Sequence, residues 1–273
     1  MLTSIGPLET QLLAYAQGRQ RQSITAGEFV SALGWTAVQE RRVLSRLARK
    51  GIIARVRPGL YLVPPRLPPG GRWSPGEFLA LSTLMSDRDG RYQISGPNTF
   101  YRYGWTDQVP NRLYAYNNRI SGDRQIGAVA LTLIKVADER LGGTEVARAP
   151  DGIDVVYASK ARSLVDAVYD WSRFNSLPKA FDWIRREVEK EDEFVAELVR
   201  TTIQFGNQGT MRRIGALLER MGVQEHLLRR LDREAHPSSS FILHPSSSFI
   251  PWIPNREKRG KTNKRWGVVI NDE

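Results

Sequence analysis

The stretch from Thr36 to Val63, TAVQERRVLSRLARKG followed by IIARVRPGLYLV, constrains the fold more than any other part of the chain. Thr36 with Gln39 three residues later has the form of a capping box, in which each side chain bonds the other residue's backbone N–H. A helix is therefore predicted from Ala37. At helical spacing Val43, Leu44 and Leu47 share one side, while Arg42, Ser45 and Arg49 lie opposite, flanked by Arg41 and Arg46. Gly51 ends the helix. Two short strands then flank Arg57-Pro58-Gly59-Leu60, where proline second and glycine third suit a type II turn. Arg55 and Arg57 fall on one face of the first strand and Val56 on the other. This is the pattern of a recognition helix followed by a wing.

Taken alone, those residues also fit a solvated helix beside an ordinary hairpin. The preceding segment tips the balance. Leu8, Leu12, Leu13 and Ala16 form the apolar stripe of a first helix, broken between Gly18 and Ser23. Thr25-Ala26-Gly27-Glu28 has the form of a second capping box, with Ile24 and Phe29 as its hydrophobic staple. That helix runs to about Leu33, and Gly34 permits a tight turn before Thr36. Two capped helices across such a turn form a helix-turn-helix, and with the wing residues 5–66 spell a winged helix.

Charge supports the reading. The net +11 is uneven: residues 1–66 hold 10 Lys+Arg and 3 Asp+Glu, whereas residues 67–250 hold 24 and 23. A small basic module on a near-neutral body is the footprint of nucleic-acid binding. Seven residues face the major groove in this reading: Thr36, Ala37, Gln39, Arg41, Arg42, Ser45 and Arg49. Arg46, Lys50, Arg55 and Arg57 are assigned to phosphates or the minor groove.

The 273 residues suggest one large or two ordinary domains. Pro64-Pro65 and Pro68-Pro69-Gly70-Gly71 form a linker, which divides the chain into a winged helix over 1–70 and a second domain over 71–273. A helix capped by Ser74, with Glu77 at its third position, opens the second domain. Strands follow near 92–95, 112–117, 128–136 and 153–157, with a short helix at 98–102. Helices are predicted over 160–171, 179–188, 191–205, 209–221 and 223–233. The expected class is α+β, with strands first and a helical bundle after.

Residues 236–251 are a tandem repeat, HPSSSFIL then HPSSSFIP, read as a duplicated exposed loop. A basic tail over 252–273 closes the chain, with a last strand at Trp266–Ile270. There are no cysteines, which excludes disulfides and thiolate metal sites. Of the histidines His226, His236 and His244, the last two are copies of one another, and no metal or cofactor is expected. Gly260-Lys261-Thr262 lacks the first glycine of a phosphate loop and any following helix. No lysine has an acidic residue two positions before it, as a restriction-type nuclease site would want, and no Ser/His/Asp set stands in a motif context. The expectation is a protein that is not an enzyme. No apolar run suits a membrane span or a leader, so a cytoplasmic location is expected.

Two further stretches carry a resemblance. Gly104-Trp105-Thr106-Asp107-Gln108-Val109-Pro110 and Ser159-Lys160-Ala161-Arg162-Ser163-Leu164-Val165-Asp166 resemble motifs of the AbiEi antitoxins of abortive-infection, type IV toxin–antitoxin systems. Arg57-Pro58-Gly59-Leu60-Tyr61 is similar to that family's wing, and the likeness spans roughly residues 5–235 with Trp266-Gly267-Val268-Val269. Trp105 departs from the family's usual leucine, and the repeat has no counterpart. The resemblance implies a winged helix that represses its own operon at inverted repeats in the promoter. It also implies a second domain that counteracts a nucleotidyltransferase-like toxin encoded alongside. Arg162 and Asp166 have two readings, a stabilising i, i+4 pair with a cap from Ser159 or a direct toxin contact. Two rival functions stay open: a repressor whose second domain senses a ligand, and a DNA-tethered nuclease or transferase.

Overall fold

The computed structural model describes residues 5–67, 71–149, 152–236 and 249–272. The chain begins with α1 (Pro7–Gly18), β1 (Ser23–Thr25), α2 (Glu28–Leu33), α3 (Ala37–Arg49), β2 (Ala54–Arg57) and β3 (Leu60–Leu62). Its middle holds α4 (Glu77–Asp87), β4 (Tyr92–Ile94), α5 (Pro97–Arg102), β5 (Leu113–Asn117), β6 (Gly122–Ile126), β7 (Val129–Lys135), β8 (Thr144–Arg148) and β9 (Asp154–Ala158). Then come α6 (Lys160–Tyr169), α7 (Trp171–Phe174), α8 (Lys179–Lys190), α9 (Asp192–Phe205), α10 (Gln208–Arg220) and α11 (Glu225–Ala235). The last elements are β10 (Ile250–Pro251), β11 (Lys261–Asn263) and β12 (Val268–Ile270). The class is α+β: helices and a wing, then strands, then a helical bundle.

Two compact units divide these elements. The first comprises residues 1–92, 111–136 and 147–155, and the second comprises 93–110, 137–146 and 156–273. The boundary expected at Pro64–Gly71 is therefore not where the units part. Beyond it, Trp73 N–H donates to Gly51 O at 2.7 Å and Ala128 N–H to Ser74 Oγ at 2.9 Å, which ties the following chain to the winged helix. Pro68–Gly70 lie outside the described residues.

Within the first unit the winged helix has its own core. Phe29 sits edge-on to Tyr15 and stacks on Trp35, with ring centroids 5.2 and 5.4 Å away. Leu12, Ile24, Leu44, Leu47, Ile52 and Ile53 close around them. β3 is the central strand of three, antiparallel to both β1 and β2. Gly59 takes φ +83°, as the third position of a type II turn requires. The second capping box is corrected here. Thr25 is paired with Leu60 as a strand residue, and α2 starts at Glu28 after Gly27, whose φ is +98°. Ser74 likewise does not cap α4, whose N-cap is Gly76. Edge strand β6 escaped the sequence reading because four of its five residues are exposed and leave no apolar alternation.

In the second unit α6 is the central helix, with all eight residues from Ala161 to Val168 buried. α8, α9 and α10 pack around it. Trp105 stacks on Trp183 at 5.8 Å, and its Nε1–H donates to Glu187 Oε1 at 3.0 Å. The departure from leucine is thereby accommodated in the core with its polar edge satisfied.

The closing segment is not a tail. β12 is flanked by parallel β10 and antiparallel β11, and Trp266 lies over Gly215 of α10 so closely that a Cβ there would sit 2.3 Å from the indole. Arg265 reaches Glu219, Glu225 and Asp232 at 3.0–3.3 Å. Residues 237–248 of the repeat lie outside the described residues. The end of its second copy is a correction to the loop reading: Ile250 and Pro251 pair with Val268 and Val269, and Trp252 is buried against Phe181 at 4.6 Å.

Candidate nucleic-acid interface

Three devices hold α3. The first is the capping box: Gln39 N–H donates to Thr36 Oγ1 at 3.2 Å and Thr36 N–H to Gln39 Oε1 at 2.9 Å. The second is Glu40, only 4% exposed. Its carboxylate accepts from Gly27 N–H at 2.7 Å and from Phe29 N–H at 2.9 Å. A carboxylate from α3 therefore caps α2, where the helix dipole favours negative charge, and couples the two helices of the motif. The third is Glu9 of α1, which receives Lys50 Nζ at 2.9 and 3.1 Å, Arg46 Nε at 3.4 Å and Gly6 N–H at 2.9 Å. Burial pushes the Glu9 carboxyl up, but the Lys50 hydrogen bond, the Gly6 N–H and the two cations outweigh it and hold the group below its ordinary range.

The sequence-derived contact residues separate into two sets. Thr36, Ala37, Gln39, Arg41, Arg42, Ser45 and Arg49 are all exposed on one side of α3, and Arg55 is exposed on β2. Arg41, Arg42, Arg49 and Arg55 make no ion pair among the described residues. Arg46 and Lys50 are half engaged by Glu9, as above. Arg57 is engaged more fully: Nε donates to Asp87 Oδ2 at 2.7 Å and Nη2 to Asp87 Oδ1 at 2.5 Å. A register shift between Arg55 and Arg57 turns the second arginine away from the face shared by strict alternation. Arg57's hydrogen bonds and charge hold the Asp87 carboxyl below its usual range.

This pair yields a direct expectation. Asp87→Asn removes the competing carboxylate and frees Arg57 for phosphate. The dependence of log K on log salt for duplex DNA is expected to steepen by about 0.9, one phosphate contact. Salt titrations of both proteins by fluorescence anisotropy decide it, and an unchanged slope would mean that Arg57 meets no phosphate.

Sequence reasoning passed over two residues. Glu40 carried a signal, a carboxylate on the side of α3 that holds Val43, Leu44 and Leu47. Val38 carried none, because an apolar residue is assigned to the core unless its exposure is known. Charge also spreads further than the first 66 residues. The whole first unit holds 18 Lys+Arg against 9 Asp+Glu, and the second holds 22 against 20.

The exposed arginines lie on a capped helix beside a three-stranded wing, and a comparison places that arrangement. Residues 11–64 match the family described as transcriptional regulator, AbiEi antitoxin. The matched span runs from within α1 through both wing strands. It therefore holds every groove-facing candidate, together with the Glu40 cap. The description names a class of regulators and antitoxins rather than a class of enzymes. The crystal structure of the Rv2827c protein from Mycobacterium tuberculosis is similar with a TM-score of 0.59 at 14% identity. That likeness covers 97% of this chain and 92% of the other, and shows a shared fold. No curated protein matches the chain. Among the described residues no helix is long and apolar enough to cross a membrane.

Proposed function

We propose that the protein is a DNA-binding autorepressor and antitoxin, acting in the cytoplasm and lacking catalytic activity of its own. The observation that carries the DNA half is the row of exposed arginines without an ion-pair partner among the described residues, Arg41, Arg42 and Arg49 on α3 with Arg55 beside them. Guanidinium groups left free in a fold rich in ion pairs are available to guanine edges and phosphates. In this reading residues 1–70 bind inverted repeats in the protein's own promoter. Thr36, Ala37, Gln39, Arg41, Arg42, Ser45 and Arg49 face the major groove, and Arg46, Lys50, Arg55 and Arg57 neutralise phosphates. Residues 71–273 counteract a nucleotidyltransferase-like toxin encoded alongside, as the AbiEi resemblance suggests.

Arg42→Ala tests the first half. Specific binding to the promoter is expected to weaken by roughly 1–3 kcal/mol, with nonspecific binding nearer intact. Isotherms on promoter and scrambled duplexes separate the cases, and equal losses on both would reassign Arg42 to a phosphate. For the second half, the adjacent reading frame and this protein are expressed from separate, unregulated promoters in a growth assay. Rescue by wild type and by Arg42→Ala alike supports an antitoxin role independent of repression. Rescue by neither removes that role.

A further inference from the structure

We propose that Val38 reads the methyl group of a thymine in the major groove. The inference rests on the assignment of α3 as the base-reading helix and adds to it a chemical specificity. Val38 is 52% exposed, whereas most large aliphatic side chains of the winged helix are buried. Its place on α3 explains why. At 100° per residue Val38, Arg42, Ser45 and Arg49 recur at i, i+4, i+7 and i+11, within roughly 60° of one another. Glu40, Val43, Leu44 and Leu47, the buried residues of α3, occupy the opposite side. Val38 thus stands at the point of the helix furthest from the core, in the first turn, among the side chains with the best claim on DNA.

Nothing about folding asks for valine there. A β-branched residue is a weaker helix former than alanine, and in the exposed first turn it gains no packing in return. Its two methyl groups instead offer the largest apolar contact on a face whose other members are arginines, a serine, a threonine, a glutamine and the single methyl of Ala37. In the major groove the one apolar feature of a base edge is the C5-methyl of thymine, and small aliphatic groups are what recognise it. Arg42, one turn further along the same stripe, supplies the guanidinium that guanine would pair with. The row therefore predicts a thymine about two base pairs from a guanine in the bound site, since four residues rise about 6 Å along α3 and base pairs stack about 3.4 Å apart.

The test uses the full chain and a duplex that the protein itself selects from a random-sequence pool. Each thymine of that duplex is replaced in turn by uracil, which differs only in lacking the methyl. Wild type is expected to lose about four-fold in affinity at one position, the value of one methyl group withdrawn from water, and little elsewhere. Val38→Ala is expected to bind the thymine duplex about four-fold more weakly and to treat thymine and uracil alike. Because the site is exposed, Val38→Ala should melt no lower than wild type, and circular dichroism checks this. Val38→Ile should keep the discrimination. If wild type is indifferent to uracil at every position, or Val38→Ala keeps the preference for thymine, the proposal is overturned while α3 remains a DNA-reading helix. If the pool yields no enriched sequence, the base-reading assignment itself falls. If Val38→Ala changes only the sedimentation mass, the exposed methyls of Val38 serve contact between copies of the chain, and the thymine reading is wrong.

Discussion

Arg162→Ala is expected to destabilise the second unit by about 3–5 kcal/mol, the usual consequence of leaving a buried charge without its partner. Arg162 and Asp166 are both 0% exposed, with Nε to Oδ1 at 2.9 Å. The guanidinium also donates to Gly142 O at 3.0 Å and Arg140 O at 2.7 Å, and lies 4.0 Å from the Phe205 ring centroid. Asp166 takes a second cation from Arg140 at 3.1 Å and a hydroxyl from Ser95 at 2.9 Å. The pair thus clamps the 140–143 segment and the chain after β4 onto the central helix. Removing Arg162 leaves the buried Asp166 carboxylate with only Arg140 and Ser95 and deprives two carbonyl groups of their donor. A fall in melting temperature of roughly 6–20 °C corresponds to that loss in a region of this size. Arg162→Met combined with Asp166→Leu should recover much of it, because a well-packed apolar pair avoids the desolvation cost. A single-mutant loss below about 1 kcal/mol would show that Arg140 alone neutralises Asp166, and the clamp would be redundant. Burial of both side chains also decides between the two readings of this motif: neither is accessible to a partner, and Ser159 Oγ accepts from Arg162 N–H at 3.3 Å as the cap of the helix.

Glu40→Ala is expected to cost about 2–4 kcal/mol, since two N–H groups at the start of α2 lose a charged acceptor and one of them is buried. Glu40→Gln keeps one carbonyl oxygen and should cost less. Native-state hydrogen exchange over residues 24–63 is the discriminating measurement. Protection should fall there and stay unchanged over residues 156–235, because Glu40 bonds only within the winged helix among the described residues. If protection fell equally in both units, the cap would not be local, and the winged helix would not open independently. Promoter binding by Glu40→Gln should drop with little change in salt slope, as no phosphate contact is removed but the angle between α2 and α3 is loosened.

Most of the winged helix was legible in the sequence: the α3 cap, the glycine turns and the two periodicities are local signals, each satisfied within a few residues. Thr36 with Gln39, Gly34, Gly51 and the Pro58-Gly59 turn need no distant partner to take their conformations. The same locality made the helices after Ser159 legible, because wide apolar stripes repeat every turn. What failed depended on partners far along the chain. Thr25 looked like a cap until Leu60 claimed its backbone for a strand, and Ser74 looked like one until Ala128 took its hydroxyl. Arg57 counted as a free cation until Asp87, thirty residues on, arrived beside it. β6 is polar because it is an edge, and Ile250 becomes a strand only where Val268 can pair with it. Charge could be counted in the sequence, but which arginines remain unpaired was decided by tertiary structure, since an ion pair depends on two side chains meeting in space and not on either one's place in the chain.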